Sequence, residues 1–368
     1  MNNLPFSVLA FTLIFLICFT PITSNKAQIN VFDKGFIIGL MEKVNNYQIE
    51  ANGKKVNNNW KQSTYYTGVM AFYQVTKDQK LLEQAFNWSN KNNWETGNEM
   101  FFPANRLTCT QTYLQIFYEK HDSGMIKNTK EYLDAELLVT EPAYLRGWYY
   151  VDALYVGVPP FMMMSAITGE DKYADYGNRI FWELSDQLFD NDEGLFYRDS
   201  EARFNEKSRN GKKVHWSRGN GWAIAALPRI LSYLPVEDPN YKHYSELLQK
   251  MVVSIAECQG EDGLWRTNLA DFEDYPEPES SGTAFFTYAI AWGINNGILD
   301  WKKFEPVIRK SWKGLCDVVN EEGKVCWGQP EARKPGKVKE EDSDEFVSGA
   351  FLLAGSEMIR FVKKTIKE

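Results

Sequence analysis

One pattern recurs along this chain and governs what it can fold into. Three segments share a layout: an apolar helix rich in small residues, a short polar turn, an amphipathic helix, then an acidic-Gly-aromatic turn. They read VGVPPFMMMSAITGEDKYADYGNRIFWELSDQLFDNDEGLFY from Val156, GNGWAIAALPRILSYLPVEDPNYKHYSELLQKMVVSIAECQGEDGLW from Gly219, and SGTAFFTYAIAWGINNGILDWKKFEPVIRKSWKGLCDVVNEEGKVCW from Ser281. Gly157, Gly221, Gly282 and Gly349 mark a period of about 60 to 70 residues, and Gly194, Gly263 and Gly323 repeat in step. The first helix of each pair carries almost no charge, which predicts a buried inner ring. The second, as in KHYSELLQKMVVSIAEC, has one apolar stripe, which predicts an outer ring half open to solvent.

Two earlier hairpins fit the same plan, STYYTGVMAFYQVTKDQKLLEQAFNWSNK and LTCTQTYLQIFYEKHDSGMIKNTKEYLDAELL, and SGAFLLAGSEMIRFVKKTIKE supplies a last inner helix. About six such pairs in a ring give an all-α fold, an (α/α)6 toroid formed by a single domain. Strand signals are weak, with VCW and LWRT as short candidates in the turns. The charged stretch from Glu331 to Glu345 reads as a solvated loop.

Residues Phe6 to Thr20, FSVLAFTLIFLICFT, form an uncharged apolar run, and the first lysine is Lys26. That length suits a signal-peptide core better than a membrane span. The expected organisation is a signal peptide over residues 1–27 and one catalytic domain over 28–368. The mature protein is then periplasmic or secreted, without a stable membrane anchor. Beyond Cys18, four cysteines remain: Cys109, Cys258, Cys316 and Cys326. Export permits a Cys316–Cys326 bridge, but so few cysteines favour buried thiols. The three histidines are scattered, so no zinc-type cluster forms and no metal is expected. With 41 Lys and Arg against 49 Asp and Glu, the net charge of −8 and the lack of a basic stripe argue against nucleic acid. Aromatic residues reach 15%. Most serve a large core, and some suit a cleft that stacks sugar rings.

In a helical ring, the loops at the inner-helix starts build the site. In GWYYVDALYVGVPP, Asp152 is the sole charge between Arg146 and Glu170. Set among Trp148, Tyr149, Tyr150, Leu154 and Tyr155, its carboxyl should be poorly solvated and its pKa raised, as a general acid needs. Capping the following helix is an equal alternative. In HWSRGNGWAIAAL, glycines flank Asn220 before a helix, and Arg218 stands where helix amides also favour an anion. Its guanidinium fork suits a carboxylate, and Trp216 and Trp222 suit a sugar face. The bland reading of Arg218 is a salt bridge. In PESSGTAFF, Thr283 and Ser281 are caps or ligand donors.

WSRGNGW, WYYVDALYVGVPPFM, EDGLWR, SGTAFF and the terminal GAFLLAGSE together resemble glycoside hydrolase family 105, the unsaturated rhamnogalacturonyl hydrolases, near the unsaturated glucuronyl hydrolases. The resemblance covers nearly all of the chain after the apolar run. It implies a six-hairpin α/α barrel with no cofactor, a catalytic acid/base at Asp152, and substrate contacts at Trp216 and Arg218. Trp222, Trp148, Arg106 and Thr283 complete the expected binding set. The implied substrate is a lyase-made oligosaccharide ending in a 4,5-unsaturated uronic acid, with rhamnose as the expected neighbour. The implied reaction is hydration of the C4=C5 enol ether. Many relatives carry Asp-Asp where this chain has Asn105 and Arg106, and some carry His where it has Arg198. The parent polymer stays open between pectic rhamnogalacturonan and a sulfated algal polymer such as ulvan, and those arginines are compatible with a sulfated ligand. Two alternatives stand beside this reading. One is a conventional two-carboxylate glycosidase using Asp199 or Glu279. The other is a non-catalytic sugar-binding scaffold.

Overall fold

The computed structural model describes residues 30–365, so the signal-segment expectation lies outside the described residues. The helices are α1 (Lys34–Asn52), α2 (Trp60–Thr76), α3 (Gln79–Lys91), α4 (Thr108–Lys120), α5 (Lys127–Leu137), α6 (Ala153–Val156), α7 (Pro159–Thr168), α8 (Asp171–Leu188), α9 (Ser200–Phe204), α10 (Ser217–Leu231), α11 (Pro239–Glu257), α12 (Ser280–Asn295), α13 (Trp301–Asp317) and α14 (Glu345–Thr365). The helices α2, α4, α6 with α7, α10, α12 and α14 pack successively on one another, and α14 returns to α2. This closed inner ring is sheathed by α1, α3, α5, α8, α11 and α13, which makes an (α/α)6 barrel.

Sequence decides which helix goes where. Every residue of α10 is buried, as is α12 from Ser280 to Ile294. In α11 the buried side chains are Tyr244, Leu247, Leu248, Met251, Val252 and Ile255, a single stripe at three- and four-residue spacing. The sixth outer helix is α1, which the repeat did not reveal. Its buried face mixes Ile37, Met41 and Val44 with Asn45 and Gln48, so its apolar stripe is interrupted. The polar pair are working contacts. Asn45 Oδ1 accepts from Tyr65 Oη at 2.6 Å, and Gln48 Oε1 accepts from Ser348 Oγ at 2.8 Å. Both tie the first helix to the inner ring.

The repeating glycines do different jobs in the two layers. Gly194, Gly263 and Gly323 have φ of 67°, 85° and 97°, the left-handed region where glycine is strongly favoured. A Cβ there would strike Ser254 of α11, the Lys310 carbonyl of α13 and the Lys43 carbonyl of α1, respectively. Each turn therefore abuts the next outer helix, and the last abuts the first. In the inner ring, a Cβ on Gly68 would strike the Gly349 carbonyl, and one on Gly349 would lie 2.6 Å from Tyr65 Cα. The seam between α2 and α14 closes only because neither position has a side chain.

The strand expectation needs correction. LWRT and VCW make single bridges, Trp265 with Glu279 and Val325 with Val319, rather than strands. Among the described residues the one sheet is a two-residue hairpin, β1 (Phe189–Asp190) with β2 (Leu195–Phe196). Cys109, Cys258, Cys316 and Cys326 are free thiols, so the bridge considered for Cys316 and Cys326 is absent. No helix of the described residues is long and apolar enough to cross a membrane.

The seam gives the first test. Gly349→Val places branched carbons against backbone that has no rotamer to yield, so it should cost about 3 kcal/mol or more. Gly39→Ala in α1 meets no atom within 4 Å. It should stabilise by roughly 0.5 to 1 kcal/mol. Urea unfolding of both variants checks the pair, and equal effects would refute the seam.

Candidate functional site

A cleft of about 350 Å³ opens where the inner helices α2, α4, α6 and α10 begin. Its lining comes from those beginnings: Trp60 opens α2, Asn105 precedes α4, Asp152 precedes α6, and Trp216 and Arg218 open α10. Helix N-termini expose unpaired amides and the positive ends of the peptide dipoles. Four such starts around one cleft favour an anion although the chain as a whole is acidic.

Asp152 sits on the floor. It occupies the N-cap position of α6 but makes no capping hydrogen bond, so the capping alternative fails. Its Oδ1 is buried without a hydrogen-bond partner. Desolvation pushes its pKa up to about 6, against the opposing pull of the Arg198 and Arg218 guanidinium groups. A carboxyl whose pKa is raised toward neutrality and which lines a cleft is equipped as a general acid.

The motif around Asn220 explains how this turn is held. Helix α10 already starts at Ser217, so the glycines lie within its first turn rather than in a bend before it. They permit close approach: a Cβ on Gly219 would lie 3.2 Å from Val151 Cγ1, and one on Gly221 would lie 3.3 Å from Gly282 Cα. Asn220 Nδ2 donates to Phe196 O at 2.9 Å, while its Oδ1 accepts from Phe196 N at 2.7 Å. The amide thus copies a strand neighbour. Two residues on, Arg198 O accepts from Val151 N at 2.8 Å. Asn220 therefore anchors the segment that carries Arg198 and braces the Asp152 turn.

The expected binding residues divide. Trp216, Arg218 and Trp222 line the cleft. Arg218 is buried with its guanidinium 4.5 Å from the Trp216 ring centre and 4.8 Å from that of Phe346. It forms no salt bridge among the described residues. Its Nη atoms donate to the carbonyls of Gln329 and of Pro330, the latter at 3.0 Å. Trp148, Arg106 and Thr283 do not line the cleft. Trp148 is wedged behind α6, its ring 2.6 Å from where a Cβ of Gly157 would sit. Arg106 Nε donates to Glu99 O at 2.6 Å, which turns it toward its own loop. Thr283 Oγ1 donates to Glu279 O at 2.6 Å and accepts from Trp265 N at 3.0 Å, a structural junction.

The two spare carboxylates are also engaged. Glu279 accepts from Ser281 N, Ser281 Oγ, Gly282 N and Gln329 N at 2.9, 2.5, 2.7 and 3.1 Å. Asp199 caps α9 through Ala202 N at 2.9 Å and pairs with Arg198. Neither lines the cleft.

Sequence reasoning missed one wall. The charged stretch is no free loop: Glu331, Ala332 and Arg333 line the cleft, and Glu331 pairs with Lys61 at 2.8 Å. Trp60, Phe102 and Val156 were missed as well. Trp60 was within reach, because it opens an inner helix.

The buried acid makes a stability prediction. An aspartate in the unfolded chain ionises near 3.9, whereas folded Asp152 does so near 6. Between these values the native state holds the extra proton. Stability is therefore full below about pH 4 and is lost as pH rises through about 6. Asparagine has no such dependence. Asp152→Asn should thus gain up to about 3 kcal/mol over the wild type at pH 7.5, and the gain should vanish toward pH 4. Thermal melts across that range check it; a pH-independent difference would contradict the buried-acid account.

Comparison with known proteins agrees with this geometry. The profile of Glycosyl Hydrolase Family 88 matches residues 37–362. An unsaturated 3S-rhamnoglycuronyl hydrolase of Alteromonas sp. (strain LOR) is 35% identical over 321 residues, covering 82% of this chain and 77% of that one. A solved glycosyl hydrolase family 88 structure from Bacteroides vulgatus is 31% identical with a TM-score of 0.83, over 89% of this chain and 99% of that chain. A solved chain described as a polysaccharide lyase is 30% identical with a TM-score of 0.84, over 90% of this chain and 98% of that chain. The motifs pointed to family 105 and the matching profile is that of family 88; solved chains of both share this barrel.

Proposed function

The chain belongs to glycosyl hydrolase family 88, and from that premise we propose that it removes a terminal 4,5-unsaturated uronic acid, linked to rhamnose, from lyase-made oligosaccharides. The observation that carries this reading is the single desolvated carboxyl, Asp152, in the cleft lined by the starts of α2, α4, α6 and α10. A conventional glycosidase needs two carboxylates across the scissile bond. Here Asp199 and Glu279 are committed to capping, and Glu331 is exposed and salt-bridged to Lys61.

One carboxyl suffices for an enol ether. Asp152 gives its proton to C4, and the C4=C5 pair becomes the new C–H bond, leaving an oxocarbenium ion shared by C5 and the ring oxygen. Water adds to C5 and returns a proton to the Asp152 carboxylate. The C5 hemiketal opens by breaking its bond to the ring oxygen. The hemiacetal left at C1 then expels the neighbouring sugar as a free alcohol. Arg218 holds the uronate carboxylate, helped by the first-turn amides of α10. Trp216, Trp222 and Trp60 offer faces to the sugar rings.

Turnover should remove the ultraviolet absorbance of the conjugated alkene, whereas lyase action would create it. In heavy-oxygen water, label should enter at C5 of the released uronate; label at the anomeric carbon would indicate the two-carboxylate route. Asp152→Asn should reduce kcat by about a hundredfold or more with the fold intact. Retention of substantial activity would remove Asp152 from the mechanism.

We also propose that residues 1–27 direct export, on the strength of the uncharged run from Phe6 to Thr20. N-terminal sequencing of exported protein should begin near residue 28. An intact Met1 on cytoplasmic protein would refute this.

A further inference from the structure

The cleft holds one cation more than its own chemistry uses. Asp152 faces Arg198 and Arg218. Arg198 is paired with Asp199, and Glu331 with Lys61. Arg333 also lines the cleft, and among the described residues no hydrogen bond or ion pair engages its guanidinium. That group is exposed and lies 5.2 Å from the centre of the Phe102 ring, which Arg198 approaches at 5.9 Å.

The free guanidinium is not on a slack loop. On one side of it, Gln329 Oε1 accepts from Trp216 Nε1 at 2.8 Å, Gln329 N donates to Glu279, and Arg218 donates to the carbonyls of residues 329 and 330. On the other side, Lys334 O accepts from Gln329 Nε2 at 3.0 Å and Gly336 O accepts from Thr267 Oγ1 at 3.1 Å. The backbone is tied before and after Arg333, while the side chain is left over an aromatic ring with nothing to bind. The backbone that presents the cation is thereby fixed at the cleft, and the guanidinium is left available for a ligand anion.

We propose that Arg333 is a specificity-determining residue that binds a sulfate ester on the sugar attached to the unsaturated uronate. This rests on the substrate reading above. The uronate carboxylate belongs beside Asp152 and Arg218. The next sugar, a rhamnose, carries no carboxylate, so any negative charge it brings is that of an ester. Phe102 supplies an apolar surface for that sugar, and the guanidinium above it matches the planar, multiply accepting edge of a sulfate. The sulfated ligand considered for Arg106 and Arg198 is thereby assigned to a different arginine. Arg106 points away, and Arg198 is held by Asp199.

The test compares two disaccharides, an unsaturated uronyl-rhamnose 3-sulfate and its desulfated counterpart, with wild type, Arg333→Ala and Arg333→Lys. The readout is the ratio of kcat/KM for the sulfated over the desulfated substrate. Wild type should favour the sulfated form. Arg333→Ala should lower the ratio by about fivefold or more, chiefly through KM, and Arg333→Lys should keep part of it. Raising the salt to half-molar should shrink the wild-type ratio. An unchanged ratio in Arg333→Ala overturns the proposal, since a merely structural loop would lose both substrates alike. Calorimetric binding of both sugars to Asp152→Asn and to the Asp152→Asn, Arg333→Ala double variant separates this from the reaction. Sulfate-dependent binding that needs Arg333 supports the proposal even if wild type turns over neither sugar, in which case the proposed function alone falls. Equal binding of the two sugars overturns it regardless of turnover.

Discussion

The contact between α2 and α14, glycine against glycine, is the constraint from which the rest of this molecule follows. Gly68 and Gly349 let two backbones meet at van der Waals distance, and that meeting turns a row of helix pairs into a ring. A row would leave its end helices with apolar faces in water. A ring has no ends, so α1, the first outer helix, covers α14, the last inner one. The outer layer closes in the same way, with the Gly323 turn resting on α1. Closure of both layers also brings the starts of α2, α4, α6 and α10 to one cleft. The electrostatic character of the cleft is thus a consequence of topology.

Against that positive background the protein keeps one carboxyl dry. The two effects act on different parts of a ligand. Dipoles and Arg218 favour an anionic substrate, whereas desolvation raises the pKa of Asp152 to about 6. Were the arginines alone in control, Asp152 would ionise early and lose its acid function. Burial wins here because its Oδ1 accepts no hydrogen bond to stabilise the charge. Arg218 contributes twice, as a charge near Asp152 and as a donor to the carbonyls of residues 329 and 330. Substrate charge and the wall of the cleft are therefore linked through one guanidinium.

Much of this was legible from the residues. The alternation of charge-poor and striped helices announced two layers, because burial on all sides and burial on one side demand different compositions. Asp152 stood out as a lone charge among aromatics. Helix α1 was hidden because Asn45 and Gln48 interrupt its apolar stripe, and their partners, Tyr65 and Ser348, lie in distant parts of the chain. Trp148 within the Asp152 motif, Arg106 in the place of an acid in relatives, and Thr283 at an inner-helix start are all candidates by sequence. In a helix start, neighbours in sequence point in different directions, and only some face the cleft.

The wall from Glu331 to Arg333 shows the same limit from the other side. Its charges suggested solvent, and Glu331 and Arg333 are indeed exposed. What fixes its place is a set of bonds to Trp216, Arg218, Thr267 and Glu279, residues far away in the chain. The sequence by itself determined the helix pairs, their two layers, the family and the acidic residue at the centre, because periodicity, composition and motif are local properties. The tertiary structure alone decided that Asp152 caps nothing, that Asn220 stands in for a strand, and that Arg333 is left free over Phe102. Those facts depend on which distant groups reach one another once the ring has closed.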